Sequence, residues 1–303
     1  MLRTMIPMIA LWLMAQPLLA QTDNVARSQA KSQKRQAFQW VNSLRVKVPG
    51  LKHATFRSPS MNCDVGYCIY LPPQYEGSNR RFPVVYYLHG GRPGSETKSV
   101  RLVPFLHQQF AECNVRPMIY VFVNGGPVSH YNLPGQPDAQ GADVFIRELI
   151  PHVDATYRTI AHREGRGLEG FSQGGRGTAR LMFRYPELFA TAAPGGAGQA
   201  TEKRISENEG RESDTLVFAE GDNTWDLARD YVKRSGPRLQ ILFQVGTKGF
   251  NYQNNLEYMT FMDQLGIPYE KVIVDGAEHS AMQIYLKAGA TIMKFHEKGL
   301  RHE

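Results

Sequence analysis

The sequence predicts an α/β fold in which helices cover both faces of an eight-stranded, mostly parallel sheet. Short runs of β-branched and aromatic residues alternate with amphipathic stretches, which is the pattern of βαβ units. The central runs are apolar throughout, as expected of parallel strands that are buried on both faces. The 303 residues suffice for one large domain with its own core, and no internal repeat or linker divides them.

The first two strand-like runs, at 53–58 and 66–71, predict an antiparallel hairpin, and Pro72-Pro73 ends it because proline cannot donate to a ladder. Six further strands are predicted at 82–88, 118–123, 167–171, 189–193, 239–245 and 269–274. Helices are predicted near 98–112, 141–157, 174–185, 224–234, 254–265 and 281–297.

The N-terminus carries a targeting pattern. Arg3 precedes a short apolar stretch that ends in Leu-Leu-Ala, which predicts a cleaved signal peptide over residues 1–20. Two prolines and its shortness argue against a membrane span, and no later segment is apolar enough for stable membrane insertion. We therefore expect a secreted or periplasmic protein with a polar arm or helix over 21–50 and one domain over 51–303.

Charge and cysteine content exclude some classes of function. The formal net charge is +7, but the basic residues are spread along the chain, so no nucleic-acid partner is predicted. Cys63 and Cys68 either form a disulfide across a hairpin or are two small buried thiols, and Cys113 is then left over as a lone buried thiol. There is no CxxC and no paired Cys/His spacing, so no structural zinc is implied, and the sequence offers no evidence for another metal, a nucleotide or a flavin.

The motif Gly170-Phe-Ser172-Gln-Gly174 is the strongest chemical signal. It follows a strand-like run and opens a helical run, which is the setting of a nucleophile elbow. Glycines permit the tight turn that lifts a serine hydroxyl above the sheet edge, at a helix N-terminus that favours developing negative charge. Ser172 is therefore the predicted nucleophile.

Two further segments complete this chemistry. His89-Gly90-Gly91 follows an apolar strand, and the backbone N–H groups of Gly91 and Gln173 are the predicted oxyanion hole, with His89 as a structural residue. His279 lies between the last predicted strand and the last predicted helix, later in the chain than Ser172. That position predicts the general base.

These segments, with Ile69–Tyr75, Tyr87–Gly91 and Arg147–Asp154, resemble the putative esterase family of α/β-hydrolases. That family includes feruloyl and acetylxylan esterases (carbohydrate esterase family 1), enterochelin esterases, S-formylglutathione hydrolases and mycolyltransferases. The resemblance spans most of residues 55 to 295. It implies an α/β-hydrolase fold and a cofactor-independent ester hydrolase or acyltransferase with a Ser-His-acid triad.

The chain departs from the family where the acid is expected, because Gly249 occupies that position. Three interpretations remain open. Asp222, within 220–226, is the acid that we predict, although it equally suits a helix N-cap. Asn251 is the second candidate, as a neutral partner of His279. The third interpretation is a degenerate triad in a weak enzyme or a binding protein.

Substrate contacts are predicted at Ser129 and Tyr131, in a loop that follows a strand at the carboxyl edge of the sheet, and at Trp225. The resulting hypothesis is hydrolysis of small-molecule or polysaccharide esters outside the cytoplasm. The alternatives are acyl transfer to a sugar and non-catalytic binding of a carbohydrate or a partner.

Overall fold

Eight strands form one sheet in the computed structural model, which describes residues 38–198, 204–206 and 212–303. The spatial order is β1-β2-β4-β3-β5-β6-β9-β10. The strands of this sheet are β1 (Leu51–Ser58), β2 (Cys63–Tyr70), β3 (Val84–Leu88), β4 (Ile119–Val123), β5 (Arg166–Phe171), β6 (Thr191–Gly195), β9 (Gln240–Gly246) and β10 (Glu270–Val274). β2 is antiparallel to β1 and to β4, and all other pairs are parallel. The predicted fold class is confirmed.

Six helices longer than one turn accompany the sheet within the described residues. They are α1 (Val103–Ala111), α2 (Gly141–Asp143, continuing through the π-helical Val144–Leu149 into Ile150–Thr156), α3 (Gln173–Arg184), α4 (Thr224–Lys233), α5 (Tyr252–Gln264) and α6 (Ala281–Gly299). Single turns of 3₁₀-helix lie at Pro73–Tyr75, Val100–Leu102 and Arg163–Gly165. In the described part of the chain, no helix has the length and apolar character needed to span a bilayer.

The core lies on both faces of the central strands. Every residue of β3, β4, β5 and β6 is buried. Successive side chains of a strand point to opposite faces. Tyr86 accordingly packs against Phe145 of α2, and the next residue, Tyr87, packs against Tyr285 of α6. Helices therefore cover both faces, which explains the continuously apolar strand sequences.

A small hairpin was not predicted. Strands β7 (Arg204–Ser206) and β8 (Glu212–Val217) pair antiparallel in a separate two-stranded sheet between β6 and α4. The sequence there is polar and gave no strand pattern.

The N-terminal arm contains no helix in its described part, from residue 38 to 50. The signal-peptide prediction and the rest of the arm lie outside the described residues. Residues Gln39–Glu303 form one compact unit, which includes residues 39–50 of the arm. Asn42 donates from its backbone and side-chain nitrogens to the two carboxylate oxygens of Glu96, at 2.7 and 2.9 Å.

The disulfide interpretation of Cys63 and Cys68 is wrong. Both residues lie in β2, five positions apart on one strand. At about 3.3 Å per residue their Cα atoms are roughly 16 Å apart, whereas a disulfide requires less than about 7 Å. All three cysteines are free, and burial raises the pKa of the Cys68 thiol to about 12. Cys113, expected to be a buried thiol, is exposed.

Candidate active site

Ser172 lies in a sharp turn between β5 and α3. Its backbone has φ 60° and ψ −118°, a strained conformation for a residue with a side chain. The turn is held by the backbone N–H of Ser172, which donates to Gly195 O at 2.8 Å. A Cβ on Gly174 would lie 1.9 Å from Leu88 O, so only glycine fits this close approach of helix and strand. The predicted strand–turn–helix setting is present.

His279 lies beside this serine. Its loop follows β10, and Ser280 caps the next helix by accepting a hydrogen bond from Gln283 N. His279 Nε2 is 2.9 Å from Ser172 Oγ, a normal hydrogen-bond distance for a serine–histidine pair. The imidazole lies between two aromatic rings, with centroids 4.9 Å from Phe171 and 4.3 Å from Phe250. The structure thus brings the two residues together across 107 positions of sequence.

Asn251 contacts the other nitrogen of the same imidazole. Its Oδ1 is 3.3 Å from His279 Nδ1, and its Nδ2 donates to Gly196 O. Because Gly196 O can only accept, the amide nitrogen must face it and the amide oxygen must face His279. An oxygen at Nδ1 selects the tautomer with the proton on Nδ1, which leaves the Nε2 lone pair for the Ser172 hydroxyl.

Asp222 is not brought to His279. Its carboxylate accepts a hydrogen bond from Arg184, the last residue of α3. Ser172 precedes the first residue of that helix, so the two ends are about 18 Å apart at 1.5 Å per residue. The helix N-cap role belongs to Asn223, whose side chain accepts from Asp226 N at 3.0 Å. Both expectations for Asp222 are therefore corrected.

The loop after β3 lies directly against the elbow. A Cβ on Gly90 would be 3.1 Å from Ser172 Cβ. Buried His89 shapes this loop, since its Nδ1 donates to Gly90 O at 3.1 Å and its Nε2 accepts from Ser95 N and Gly125 N, both at 3.2 Å. Burial lowers the pKa of His89 to about 3, so the ring is neutral and structural, as its position at a strand end suggested.

The orientation of the Gly91 N–H follows from this arrangement. In a trans peptide the N–H points opposite to the preceding C=O. Gly90 O faces the buried His89 ring, so the N–H of Gly91 points away from that ring, and Gly91 itself lines the cleft. Gln173 is the first residue of α3, where backbone N–H groups face out of the helix end. Both predicted oxyanion donors therefore lie beside Ser172.

The predicted substrate contacts have other positions. Ser129 is fully buried and donates from Oγ to Gly91 O at 2.6 Å. Tyr131 is also buried, and its hydroxyl lies 3.5 Å from Gln173 Oε1. Neither residue lines the cleft at Ser172; instead each contacts one of the two candidate oxyanion residues.

Trp225 is also not at the cleft. Its ring packs 4.3 Å from the centroid of Phe261 and 5.2 Å from that of Tyr258, between α4 and α5. The prediction that it walls the substrate site is therefore corrected. The position of Trp225 in the sequence does not show in which direction its side chain points.

A cleft of about 290 Å³ opens above Ser172. Its walls come from four parts of the chain, at 90–91, 98–102, 171–172 and 279–281. No motif in the sequence marks the second of these segments. In the described residues no group of three or more His, Cys, Asp or Glu side chains is placed to hold a metal ion.

A sequence model of the family described as Putative esterase matches residues 58–273, more than half of the chain. The chain belongs to this family. The matched residues include Ser172 and Asn251, and His279 follows six residues after the last of them. The resemblance inferred from the motifs is confirmed.

Curated relatives of this esterase-family chain match only in part. An esterase of Mycobacterium tuberculosis is 31% identical over 148 residues, which are 48% of this chain and 32% of that protein. An endo-1,4-beta-xylanase/feruloyl esterase of Xylanibacter ruminicola is 29% identical over 147 residues, 46% of this chain and 20% of that protein. The chain therefore matches about a third or less of the length of these relatives.

Solved structures resemble most of the chain. A ferulic acid esterase has a TM-score of 0.66 at 20% identity, covering 82% of this chain and 98% of its own. An S-formylglutathione hydrolase of Agrobacterium tumefaciens has a TM-score of 0.69 at 15% identity, covering 87% of this chain and 100% of its own. At such identities the likeness establishes the α/β-hydrolase fold.

The environment of His279 in this esterase-family site sets a pH dependence. Burial lowers its pKa to about 4 from the ordinary value of 6.5. A general base must be neutral, so we expect kcat/KM to rise with pH through an inflection near 4 and to be flat around neutrality. Measuring kcat/KM from about pH 3.5 to about pH 8, with circular dichroism at each pH, checks this. An inflection near 6.5 would contradict the buried setting of the imidazole.

Asp222→Asn tests the correction of the predicted acid. Because Asp222 contacts Arg184 and not His279, we expect kcat/KM to stay within about twofold of wild type. The lost ion pair is partly exposed and costs at most about 1 kcal/mol of the free energy of unfolding. Steady-state kinetics and thermal denaturation measure the two effects. A loss of several orders of magnitude in kcat would reinstate Asp222 as the acid.

Proposed function

We propose that this chain is a serine carboxylic-ester hydrolase, with Ser172 as nucleophile, His279 as general base and Asn251 as the neutral residue that orients His279. The observation that carries the proposal is the continuous hydrogen-bond chain from Ser172 Oγ to His279 Nε2 and from His279 Nδ1 to Asn251 Oδ1. A catalytically degenerate protein has no need for this alignment at a strained elbow.

The reaction proceeds in two halves. Ser172 Oγ attacks the ester carbonyl carbon while His279 Nε2 accepts the hydroxyl proton, and the carbonyl oxygen becomes an oxyanion held by the N–H groups of Gly91 and Gln173. The C–O bond to the alcohol breaks as His279 returns the proton to the leaving oxygen, which leaves an acyl-enzyme. Water then attacks the acyl carbon, its proton passes to His279, and Ser172 departs with that proton.

Asn251 contributes by holding the imidazole in one tautomer. A neutral amide does not stabilise the imidazolium as a carboxylate would, in keeping with the pKa of His279 near 4. A carboxylate at position 251 would place an oxygen against the carbonyl oxygen of Gly196, and the two would repel each other in a buried position. The amide avoids this because its nitrogen donates to Gly196 O. The proposed site therefore differs in charge from a Ser-His-acid triad.

The proposed place of action is outside the cytoplasm, on acylated polysaccharides or smaller esters met there. The N-terminal charge and apolar pattern over residues 1–20 supports the location. The partial match to a xylanase/feruloyl esterase supports the polysaccharide substrate. The polysaccharide substrate is tested by incubating the protein with acetylated xylan or a feruloylated arabinoxylan and measuring the released acetic or ferulic acid by chromatography.

The catalytic proposal is tested with p-nitrophenyl acetate, methyl ferulate and a fluorophosphonate probe. We expect a burst of nitrophenol equal to the enzyme concentration or steady turnover, together with one phosphonate adduct that mass spectrometry places on Ser172. Denatured protein is the control for non-specific labelling. If the folded protein gives neither turnover nor an adduct, the chain is not a serine hydrolase, and glycan binding becomes the function to measure.

A further inference from the structure

Two cationic side chains line the cleft at Ser172. Lys98 and Arg101 belong to the segment that joins the Gly90-Gly91 loop to α1, and both contribute to the same wall. The ammonium of Lys98 is 3.7 Å from the position of a Cβ on Gly91, so it lies next to a candidate oxyanion residue. It donates to Pro93 O at 2.5 Å, which holds the side chain over the loop.

No carboxylate balances these charges at the cleft. The described residues that line it include two cations, three serines and no Asp or Glu. Several lysines and arginines of the described chain pair with an acidic oxygen within 4.0 Å, but neither Lys98 nor Arg101 does. Both side chains are exposed to solvent, so a bound anion would meet positive charges that no carboxylate at the cleft neutralises.

We propose that the site takes esters that carry a negative charge near the scissile carbonyl, and that Lys98 and Arg101 bind this charge. The proposal rests on the hydrolase function above and adds the substrate class. Both cations line the cleft in which the ester carbon must meet Ser172, so an anion on either the acyl or the alcohol part lies within their field. The shared chemistry is a carboxylate or a similar anion.

The cations are placed for binding more than for the oxyanion. Backbone N–H groups already serve the developing charge, and the Lys98 ammonium is directed toward Pro93 O. A fixed substrate anion interacts with these cations equally in the ground state and in the transition state. The effect is therefore expected mainly in KM, with little change in kcat.

The experiment compares two pairs of esters that differ in one charge. The acyl arm uses mono(4-nitrophenyl) adipate against its neutral methyl ester, and the alcohol arm uses 4-acetoxybenzoate against methyl 4-acetoxybenzoate. The measured quantity is the ratio of kcat/KM for the anionic ester to that for the neutral ester. Because every protein variant receives the same pair, the intrinsic reactivity of the esters cancels.

We expect Lys98→Met and Arg101→Gln each to lower this ratio by roughly 3- to 10-fold in at least one arm, mainly through KM. The wild-type ratio should fall with added NaCl, because salt screens partly exposed charges. Lys233→Met is the matched control. Lys233 is an exposed lysine that pairs with Asp230 on α4 and does not line the cleft, so the ratio should not change.

A ratio that is unaffected by salt and by both substitutions in both arms overturns the proposal. Lys98 and Arg101 are both exposed, so Lys98→Met and Arg101→Gln are both expected to fold. The two proposals fail separately. Turnover of neutral esters with an acyl-enzyme on Ser172 but no charge preference refutes only the substrate class, whereas the absence of any acyl-enzyme refutes the hydrolase itself.

Discussion

Ser172→Ala is expected to lower kcat for p-nitrophenyl acetate by about 10⁴-fold or more. The substitution removes the one oxygen that lies 2.9 Å from His279 Nε2, so the imidazole has no nucleophile to activate. Water in the cleft is a poor replacement, because it lacks the fixed position of Oγ above the sheet edge. The residual rate reports what the oxyanion donors and the binding cleft provide alone.

This substitution is also a clean test of mechanism. Alanine at position 172 keeps the Cβ and the same backbone demand at φ 60°, so the free energy of unfolding should change little. Thermal denaturation checks this, and the fluorophosphonate adduct should disappear. Activity within about tenfold of wild type, in a folded protein free of wild-type contamination, would mean that Ser172 is not the nucleophile.

Local sequence patterns were sufficient to predict the fold and to select Ser172 and His279, whose side chains the structure brings within 2.9 Å. The central strands of the large sheet are runs of buried residues bounded by Gly, Pro or Asn. Because such strands are buried on both faces, they are continuously apolar and can be recognised in a single sequence. The elbow motif requires glycine within the motif itself, as the 1.9 Å approach at Gly174 illustrates. His279 follows from chain order and from its loop between a strand and a helix.

The partner of His279 could not be predicted in the same way. Asp222 and Asn251 both follow strand ends in polar segments. Asp222 was preferred because the triad of the family uses an acid. What separates them is tertiary geometry, because the Asp222 carboxylate is bound by Arg184 at the far end of α3. The unpredicted hairpin β7–β8 lies in the same excursion, and it lengthens the path from β6 to α4.

Two residues that were predicted to touch substrate do not line the cleft. Ser129 and Tyr131 lie in a loop at the correct edge of the sheet, but each is buried behind a candidate oxyanion residue. Sequence places a residue on a loop and does not give the direction of its side chain. For the same reason the sequence does not show that Lys98 and Arg101 line the cleft, whereas the structure does.

Asn251→Ala is expected to lower kcat by about 10²-fold or more while the protein remains folded. The alanine removes the oxygen at His279 Nδ1, so the imidazole is free to adopt the other tautomer and to rotate away from Ser172. It also removes the donor to Gly196 O, which costs roughly 1–3 kcal/mol if that carbonyl stays buried. Kinetics and thermal denaturation separate the two effects, and Asp222→Asn is the matched control for an acidic residue that does not contact His279.

Asn251→Asp distinguishes a neutral partner from a missing acid. A carboxylate at Nδ1 favours the imidazolium, so the pKa of His279 should rise from about 4 by roughly 1–3 units, and the low-pH inflection of kcat/KM should move upward by the same amount. The carboxylate would also face Gly196 O, which the amide nitrogen now binds, so thermal stability should fall. If Asn251→Ala keeps the wild-type kcat and Asn251→Asp leaves the inflection unmoved, Asn251 does not orient His279. A shifted inflection with retained turnover would instead show that this site works with either partner, and that wild type uses the neutral one to stay active at low pH.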